Sequence, residues 1–135
     1  MGSKSRLEKM ATEGKPNIRE HIDAILNKGT FQEIGTFSPS LREEYRNTTP
    51  GDGEIGGEGG ISGRPAAVAG DNITVKRGTS SIVGSRKTSR LYELELKMGY
   101  TYVYFGETGS GRIPDSYRSR RNIRCNAISG PSKKP

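Results

Sequence analysis

The sequence predicts an α/β fold, on three observations. An alternating, glycine-rich segment at 54–75 is typical of two antiparallel strands that form a hairpin. A helical pattern follows at 85–98, and after it comes an apolar run at 100–105 that indicates a buried strand. The order strand, helix, strand and glycine loop, the loop lying at 106–112, indicates a βαβ-like unit.

The first elements along the chain are helical. Residues 1–16 are expected to form a flexible N-terminal segment with a weak helix at best. Asn17 can then cap a helix at 18–28, and Glu20 completes a capping box. Gly29 is suited to the C-terminal cap of this helix. Its apolar residues fall on one stripe that docks on another part of the fold: Ile18, Ile22, Ile25 and Leu26.

The middle of the chain is predicted to be a loop followed by the hairpin. The loop covers most of 35–53. Glycine thins the strand at 54–62, a turn is expected at 63–65, and the chain returns along 66–75. Glycines in strands lower stability but permit another backbone to pack closely.

The second helix is predicted from about Ser85 to Met98, with Gly99 at its end. Its apolar face is lined by Leu91, Leu94 and Met98, whereas the basic residues lie largely off that face. The basic residues are Lys87, Arg90 and Lys97.

Composition excludes several classes of protein. Of the 135 residues 30% are hydrophobic and 19 are glycine, so the core is thin and a partner or a larger domain is expected. No run of ~18 apolar residues and no secretory signal is present, so a cytoplasmic location without membrane contact is expected. The single cysteine, Cys125, and the single histidine, His21, exclude the usual zinc sites and a Ser-His or Cys-His catalytic pair. We interpret His21 as a solvent-edge residue.

The formal charge of +7 is concentrated at one end of the chain. Residues 116–135 contain six basic residues and no acidic one, which leaves 16 basic against 15 acidic residues in 1–115. This basic segment has no helical or strand periodicity and is predicted to be a disordered tail. Nucleic acid is therefore not expected as the main partner, although a basic tail can neutralise phosphates without a fold.

The glycine loop at 106–112 differs from the common nucleotide-binding loops. It lacks a strict G-x-G-x-x-G, and no Gly-Lys-Ser/Thr follows. Two interpretations stay open. The loop is either a tight structural turn or a set of backbone N–H groups that stabilise a developing oxyanion.

The order of several motifs resembles a known family. They are the run from Ile25 to Phe31, the entry Gly51-Asp52-Gly53, the hairpin at 60–68, the segment 71–79 and the loop with Arg112 and Ile113. From about Ile18 to Asp115 the chain resembles the N-terminal part of the carboxyltransferase subunit of biotin-dependent acyl-CoA carboxylases. The acetyl-, propionyl- and methylcrotonyl-CoA carboxylases are of this type.

The resemblance implies a partial ClpP/crotonase-type α/β fold. It also implies transfer of a carboxyl group from carboxybiotin, carried on a partner protein, to an acyl-CoA. The biotin carboxyl carrier and other carboxylase subunits are then the expected partners. The oxyanion donors would be backbone groups of Gly109, Ser110 and Gly111, although Ser110 stands where the family usually has glycine. Candidate substrate-binding residues are Gly78, Thr79 and Arg112, and Arg77, Arg86 and Lys87 could hold the CoA phosphates.

The resemblance to the family is expected to stop near Asp115. Residues 17–115 are therefore predicted to be an incomplete carboxyltransferase N-domain, and residues 116–135 a basic tail. The family's second oxyanion loop, of the Gly-Pro-x-x-Gly-Gly kind, and its biotin-side domain have no counterpart in this sequence. The chain is therefore predicted to be a truncated enzyme that is inactive alone. Two alternatives stay open: a non-catalytic binding or assembly module for carboxylase subunits or CoA, and nucleic-acid binding by the tail.

Overall fold

A four-stranded mixed sheet forms the center of the computed structural model, which describes residues 2–107 and 111. The strand order is β1-β2-β3-β4; β1, β2 and β3 pair antiparallel, and β3 and β4 pair parallel through the crossover helix α3. This confirms the α/β class and the βαβ unit. Within the described residues the strands are β1 (Gln32–Glu33), β2 (Glu54–Ile61), β3 (Arg64–Asp71) and β4 (Thr101–Phe105), and the α-helices are α1 (Lys4–Thr12), α2 (Ile18–Ile25) and α3 (Ile82–Met98).

Both faces of the sheet are covered. Successive residues of β3 point to opposite sides, so the strand contributes to a core on each face. Val68 packs on one side with Ile55 of β2 and with the stripe of α2. Ala67 and Ala69 pack on the other side against Leu91 of α3. The apolar stripe predicted for α2 is confirmed in its buried members, Ile18, Ile22 and Leu26.

The hairpin is confirmed, but its turn lies one residue earlier than predicted. Ser62 and Gly63 occupy the turn with φ of 50° and 78°, the backbone that a two-residue hairpin requires. Arg64 already pairs with Ile61, so β3 begins inside the predicted turn. The return strand ends at Asp71, and residues 73–75 form a turn and not the predicted strand continuation.

The capping box of α2 is confirmed. The Asn17 side chain accepts from the backbone N–H groups of Arg19 and Glu20, and the Glu20 carboxylate accepts from the Asn17 N–H at 2.7 Å. The helix ends at Ile25 and not at Lys28, because the chain there turns toward β2. The Asn27 N–H donates to the Gly60 carbonyl at 2.7 Å.

Helix α3 begins at Ile82, three residues before the predicted start. The Ser81 hydroxyl accepts from the Gly84 N–H at 3.0 Å and donates to the Asp52 carbonyl at 3.0 Å. A serine cap satisfies a free N–H of the first turn and therefore sets the helix start. Met98, predicted for the buried face, is 61% exposed in the last turn.

The N-terminal segment contains α1, a nine-residue helix where the sequence indicates a weak one. Helix α1 has no buried residue. Tertiary hydrogen bonds hold its start instead: the Gly2 N–H donates to Thr74 Oγ1 at 3.0 Å, and Arg6 Nη1 donates to the Thr74 carbonyl at 2.9 Å.

We expect Gly70→Ala to lower the free energy of unfolding by about 2 kcal/mol, measured by urea denaturation. A Cβ at Gly70 would collide with Ile18 Cδ1 and lie 2.9 Å from Phe105 Cβ, where α2 and β4 both pack against β3. The matched control is Gly60→Ala in β2, whose Cβ would meet nothing closer than 3.6 Å. Equal stability of the two variants would contradict this account of the packing.

Candidate functional site

The carboxyl ends of β3 and β4 lie at the same edge of the sheet, because the two strands are parallel. We call this the carboxyl-end edge and define it by residues 71–80, 106, 107 and 111. In open α/β sheets, ligands bind outside the carboxyl ends of parallel strands.

The two chain segments that leave these strands contact each other. A Cβ at Gly78 would lie 3.0 Å from the Glu107 carbonyl oxygen and 3.2 Å from Asp71 Cβ, and Gly78 has φ of 62°. Glycine alone fits both constraints without strain. Two residues further on, Ser80 and Gly111 form a parallel β-bridge. The structure thus brings the segment with Gly78 and Thr79 next to Glu107 and Gly111, which are described residues of the glycine loop that the sequence singles out.

The backbone amides of the 76–79 turn donate within the turn itself. The Gly78 N–H donates to the Val75 carbonyl at 3.0 Å, and the Thr79 N–H donates to the Lys76 carbonyl at 3.2 Å. These two groups shape the turn that faces Glu107. Of the predicted oxyanion donors, Gly111 is described and exposed, whereas Gly109, Ser110 and Arg112 lie outside the described residues.

Asp71 joins the two segments and was not among the predicted site residues. Its side chain is buried; Oδ1 accepts from the Tyr104 hydroxyl at 3.0 Å, and Oδ2 accepts from the Glu107 N–H at 3.2 Å. Burial raises the pKa of the Asp71 carboxyl, and burial followed by the charge of Asp71 raises the pKa of Tyr104. An acidic residue that directly follows the apolar run of β3 was the available signal in the sequence.

The three predicted phosphate-binding cations lie at two separate places. Arg77 is exposed in the 76–79 turn, with φ of 57°. Arg86 is exposed on α3 and lines a groove together with Lys87, Phe37 and Leu41. Lys87 is buried, so the prediction that it lies off the packed face of α3 is wrong.

The Lys87 side chain hydrogen-bonds to backbone carbonyls beneath α3. Its Nζ donates to the Gly51 carbonyl at 2.6 Å and to the Glu54 carbonyl at 3.1 Å. Burial lowers the pKa of Lys87, although nearby carboxylates oppose that change. The residue pattern of α3 does not predict these hydrogen bonds. The acceptor carbonyls lie at the start of β2, which packs against α3 only in the tertiary structure.

Glu54 is a second buried ionisable group that the sequence analysis missed. Its carboxylate accepts a hydrogen bond from the Thr88 hydroxyl of α3. Burial raises the pKa of Glu54 to about 7. An isolated glutamate at the start of a glycine-rich strand carries no sequence signal for such an environment.

Two other properties of the described residues bear on the class of protein. None of the helices at 2–107 is both long and apolar enough to cross a membrane. The same part of the chain contains no cluster of three or more His, Cys, Asp or Glu side chains that could hold a metal ion.

The crossover unit, with two segments meeting at its carboxyl-end edge, is the architecture of a carboxyltransferase-type α/β domain. The sequence model of the family described as carboxyl transferase domain matches residues 9–124, and the chain belongs to this family. The match extends on both sides of the predicted domain 17–115.

Two curated relatives illustrate the family. The chain is 30% identical over 121 residues to the methylmalonyl-CoA carboxyltransferase 12S subunit of Propionibacterium freudenreichii subsp. shermanii, covering 87% of this chain and 23% of that protein. It is 32% identical over 118 residues to the biotin-dependent long chain acyl-coenzyme A carboxylase beta4 subunit of Mycobacterium tuberculosis, covering 87% and 22%. The chain thus spans less than a quarter of the length of these two relatives.

Solved structures confirm the crotonase-type fold. A transcarboxylase 12S structure with hydrolyzed methylmalonyl-coenzyme A bound superimposes with a TM-score of 0.81 at 29% identity, covering 88% of this chain and 24% of that one. A single-chain, multi-domain long-chain acyl-CoA carboxylase superimposes with a TM-score of 0.76 at 28% identity, covering 83% and 12%. The predicted resemblance to acyl-CoA carboxyltransferases is confirmed.

Proposed function

We propose that this chain forms part of an acyl-CoA carboxyltransferase, which moves a carboxyl group from carboxybiotin to an acyl-CoA. The observation that carries the proposal is the contact at the carboxyl-end edge. There Gly78 lies against Glu107 and Ser80 bridges to Gly111, in a chain that belongs to the carboxyl transferase domain family.

The chemistry requires stabilisation of an enolate. Carboxybiotin, when bound, would supply the carboxyl group that is transferred to the thioester α-carbon. The chain's own task is to hold the enolate oxygen with the backbone N–H groups of Gly109, Ser110 and Gly111. One such donor can be worth about 3 kcal/mol in the transition state. Glu107, at the start of that loop, is held in place by Asp71, which accepts from its N–H, and by Gly78, which lies against its carbonyl.

Carboxyl transfer is expected to need more than the described residues. The family resemblance implies that a second oxyanion loop and a biotin-side domain complete the site, and that a carrier protein delivers the biotin. The described residues are therefore expected to contribute to acyl-CoA binding. These partners are part of the proposal.

We expect wild-type protein to bind propionyl-CoA in isothermal titration calorimetry, and Gly78→Ala to weaken that binding about tenfold, or about 1.4 kcal/mol. A Cβ at Gly78 would lie 3.0 Å from the Glu107 carbonyl oxygen and would be strained at its positive φ, so the turn and Glu107 must shift relative to each other. Gly63→Ala is the matched control, because Gly63 also has a positive φ but a Cβ there meets nothing within 4 Å. We expect it to bind propionyl-CoA as wild type does.

Transfer itself is tested by adding a carboxylated biotin carrier and the remaining carboxylase subunits, and by following labelled carboxyl groups into propionyl-CoA. Label in the product with wild type, and less label with Gly78→Ala, is the expected result. Failure of wild-type protein to bind propionyl-CoA would overturn the proposal. Binding with no transfer in the complete mixture would favour the non-catalytic assembly module.

A further inference from the structure

His21 of α2 lies beside the point where the chain leaves β4 for the glycine loop. It is the single histidine of the chain, and its side chain is 30% exposed, at the solvent edge that the sequence indicates. Its ring stacks on Phe105, with the ring centroids 5.2 Å apart and the ring planes at 24°. Phe105 is the last residue of β4, so the imidazole covers the end of the strand.

The imidazole also faces the Glu107 side chain. His21 Nε2 lies 3.9 Å from Glu107 Oε1, a distance at which a protonated imidazole and a carboxylate form an ion pair. The stack on Phe105 restricts the rotation of the ring and favours this direction of Nε2. A half-exposed pair adds little to overall stability, so its main effect is on where Glu107 lies.

The helix that presents His21 is firmly attached to the sheet. Ile18 and Ile22 of the same helix are buried, and the capping box at Asn17 holds its first turn. A Cβ at Gly70 would collide with Ile18 and press on Phe105, so α2 and β4 both pack closely against β3. A side chain on such a rigid element can fix the position of a neighbouring group.

Glu107 is held at three points. Its N–H donates to Asp71 Oδ2 at 3.2 Å, its carbonyl faces Gly78, and its carboxylate faces His21. Glu107 lies two residues beyond the last residue of β4, so the hydrogen bonds of the sheet do not hold it. The first two contacts come from the segment that leaves β3, and the third comes from α2.

Two other charged groups act on the Glu107 carboxylate. Lys15, which follows α1, attracts it, and Asp71 of β3 repels it. The Lys15 side chain is exposed and its Nζ already lies 2.8 Å from Glu13 Oε2, so solvent and Glu13 weaken its attraction for Glu107. A cation at His21 therefore offsets the repulsion by Asp71.

We infer that His21 is a positioning residue of the proposed carboxyltransferase site, which holds the Glu107 side chain and so fixes the start of the glycine loop that leads to Gly111. The inference rests on the proposed function. His21 acts through Glu107 and takes no part in the transfer of the carboxyl group. Donors that are fixed before the substrate binds stabilise the transition state without further reorganisation.

The decisive variant is His21→Phe, which keeps an aromatic ring on Phe105 and removes the nitrogen that faces Glu107. Transfer to propionyl-CoA is measured in the complete mixture of carboxylated carrier and carboxylase subunits, at about pH 6, where histidine side chains in general are largely protonated. We expect kcat to fall about tenfold and KM to change less than about twofold. The 76–79 turn stays in place, so the loss falls on the transition state and not on binding.

His21→Arg is the conservative variant that restores the charge. A guanidinium group is always charged and stacks on aromatic rings, so we expect kcat within about twofold of wild type. Asp23→Asn is the matched control, because it removes a charge from an exposed position of the same helix, and it is expected to keep the wild-type kcat and KM. A packing role alone would give the opposite order, since phenylalanine preserves the stack better than arginine does.

Amide signals in a two-dimensional proton–nitrogen NMR spectrum of the chain report the start of the loop directly. We expect His21→Phe to shift the signals of Glu107 and Gly111, and His21→Arg to return them toward their wild-type positions. The Leu91 amide is the internal control, because Leu91 packs on the other face of the sheet. Its signal should not move in either variant.

A double-mutant cycle tests whether His21 acts through Glu107. Glu107→Gln removes the charge of the side chain and keeps the backbone contacts to Asp71 and Gly78. In that background His21→Phe is expected to lower kcat by no more than about twofold, because the interaction is already lost. A further tenfold loss would overturn the inference.

The outcomes separate this inference from the proposed function. If wild type transfers the carboxyl group and His21→Phe does so with the same kcat, the inference is overturned and the proposed function stands. Equal impairment of His21→Phe and His21→Arg would also overturn it, because the shape of the side chain and not its charge would then matter. Absence of transfer by wild type in the complete mixture overturns both.

Discussion

Lys87→Met is expected to lower the free energy of unfolding by about 3 kcal/mol. Methionine keeps the unbranched stem, which lies near Gly35, but it removes the ammonium group. The carbonyls of Gly51 and Glu54 then lose a buried donor, and each unsatisfied buried acceptor costs about 1–3 kcal/mol. The variant also removes a positive charge that attracts the neighbouring carboxylates. Urea denaturation at pH 7 measures the change.

Arg86→Met is the matched control for this prediction. Arg86 precedes Lys87 on α3 and is exposed, so its replacement is expected to change stability by no more than about 0.5 kcal/mol. If Lys87→Met proved as stable as Arg86→Met, the buried ammonium would not hold the entry to β2 against α3.

The second large effect is a loss of stability as the pH rises. The pKa of Glu54 is about 7 in the folded protein, against an ordinary value of 4.5. Between those two values the folded protein holds a proton that the unfolded chain has released, so stability falls with rising pH. The contribution is fully present below pH 4.5 and is lost by about pH 7. It amounts to about 3 kcal/mol, because a pKa difference of one between the folded and unfolded states corresponds to about 1.4 kcal/mol.

Glu54→Gln isolates this effect. A neutral amide cannot ionise, so the stability difference between variant and wild type is expected to change by about 3 kcal/mol from about pH 4.5 to about pH 7. The raised pKa of Asp71 acts in the same direction and leaves a smaller slope in the variant. Glu58→Gln, also on β2, is the control and should keep the wild-type slope. Identical pH profiles for Glu54→Gln and wild type would refute the assignment.

Local patterns predicted much of the fold correctly. The capping box at Asn17 depends on residues three positions apart, and the hairpin depends on alternation and turn glycines. The strand, helix and strand that end at Phe105 are also consecutive along the chain. Each of these features arises from neighbours in sequence, which is why it could be predicted without coordinates.

The errors in element boundaries have a tertiary cause. Helix α2 stops at Ile25 because Asn27 bonds to Gly60 of β2, and α3 starts at Ile82 because Ser81 reaches the Asp52 carbonyl. In each case the deciding partner lies far away in the chain. Helix propensity contains no information about such a partner.

The candidate site divides in the same way. Local turn and strand chemistry was enough to predict an α/β domain and to point to the glycine loop with Gly111, whereas the carboxyltransferase type and the candidate Gly78 came from the resemblance of the motif order to a known family. Only the tertiary structure decided that Asp71 joins the two segments and that Lys87 lies buried beneath α3. The physical reason is that burial and electrostatics depend on which elements pack together, and a one-dimensional pattern does not specify that packing.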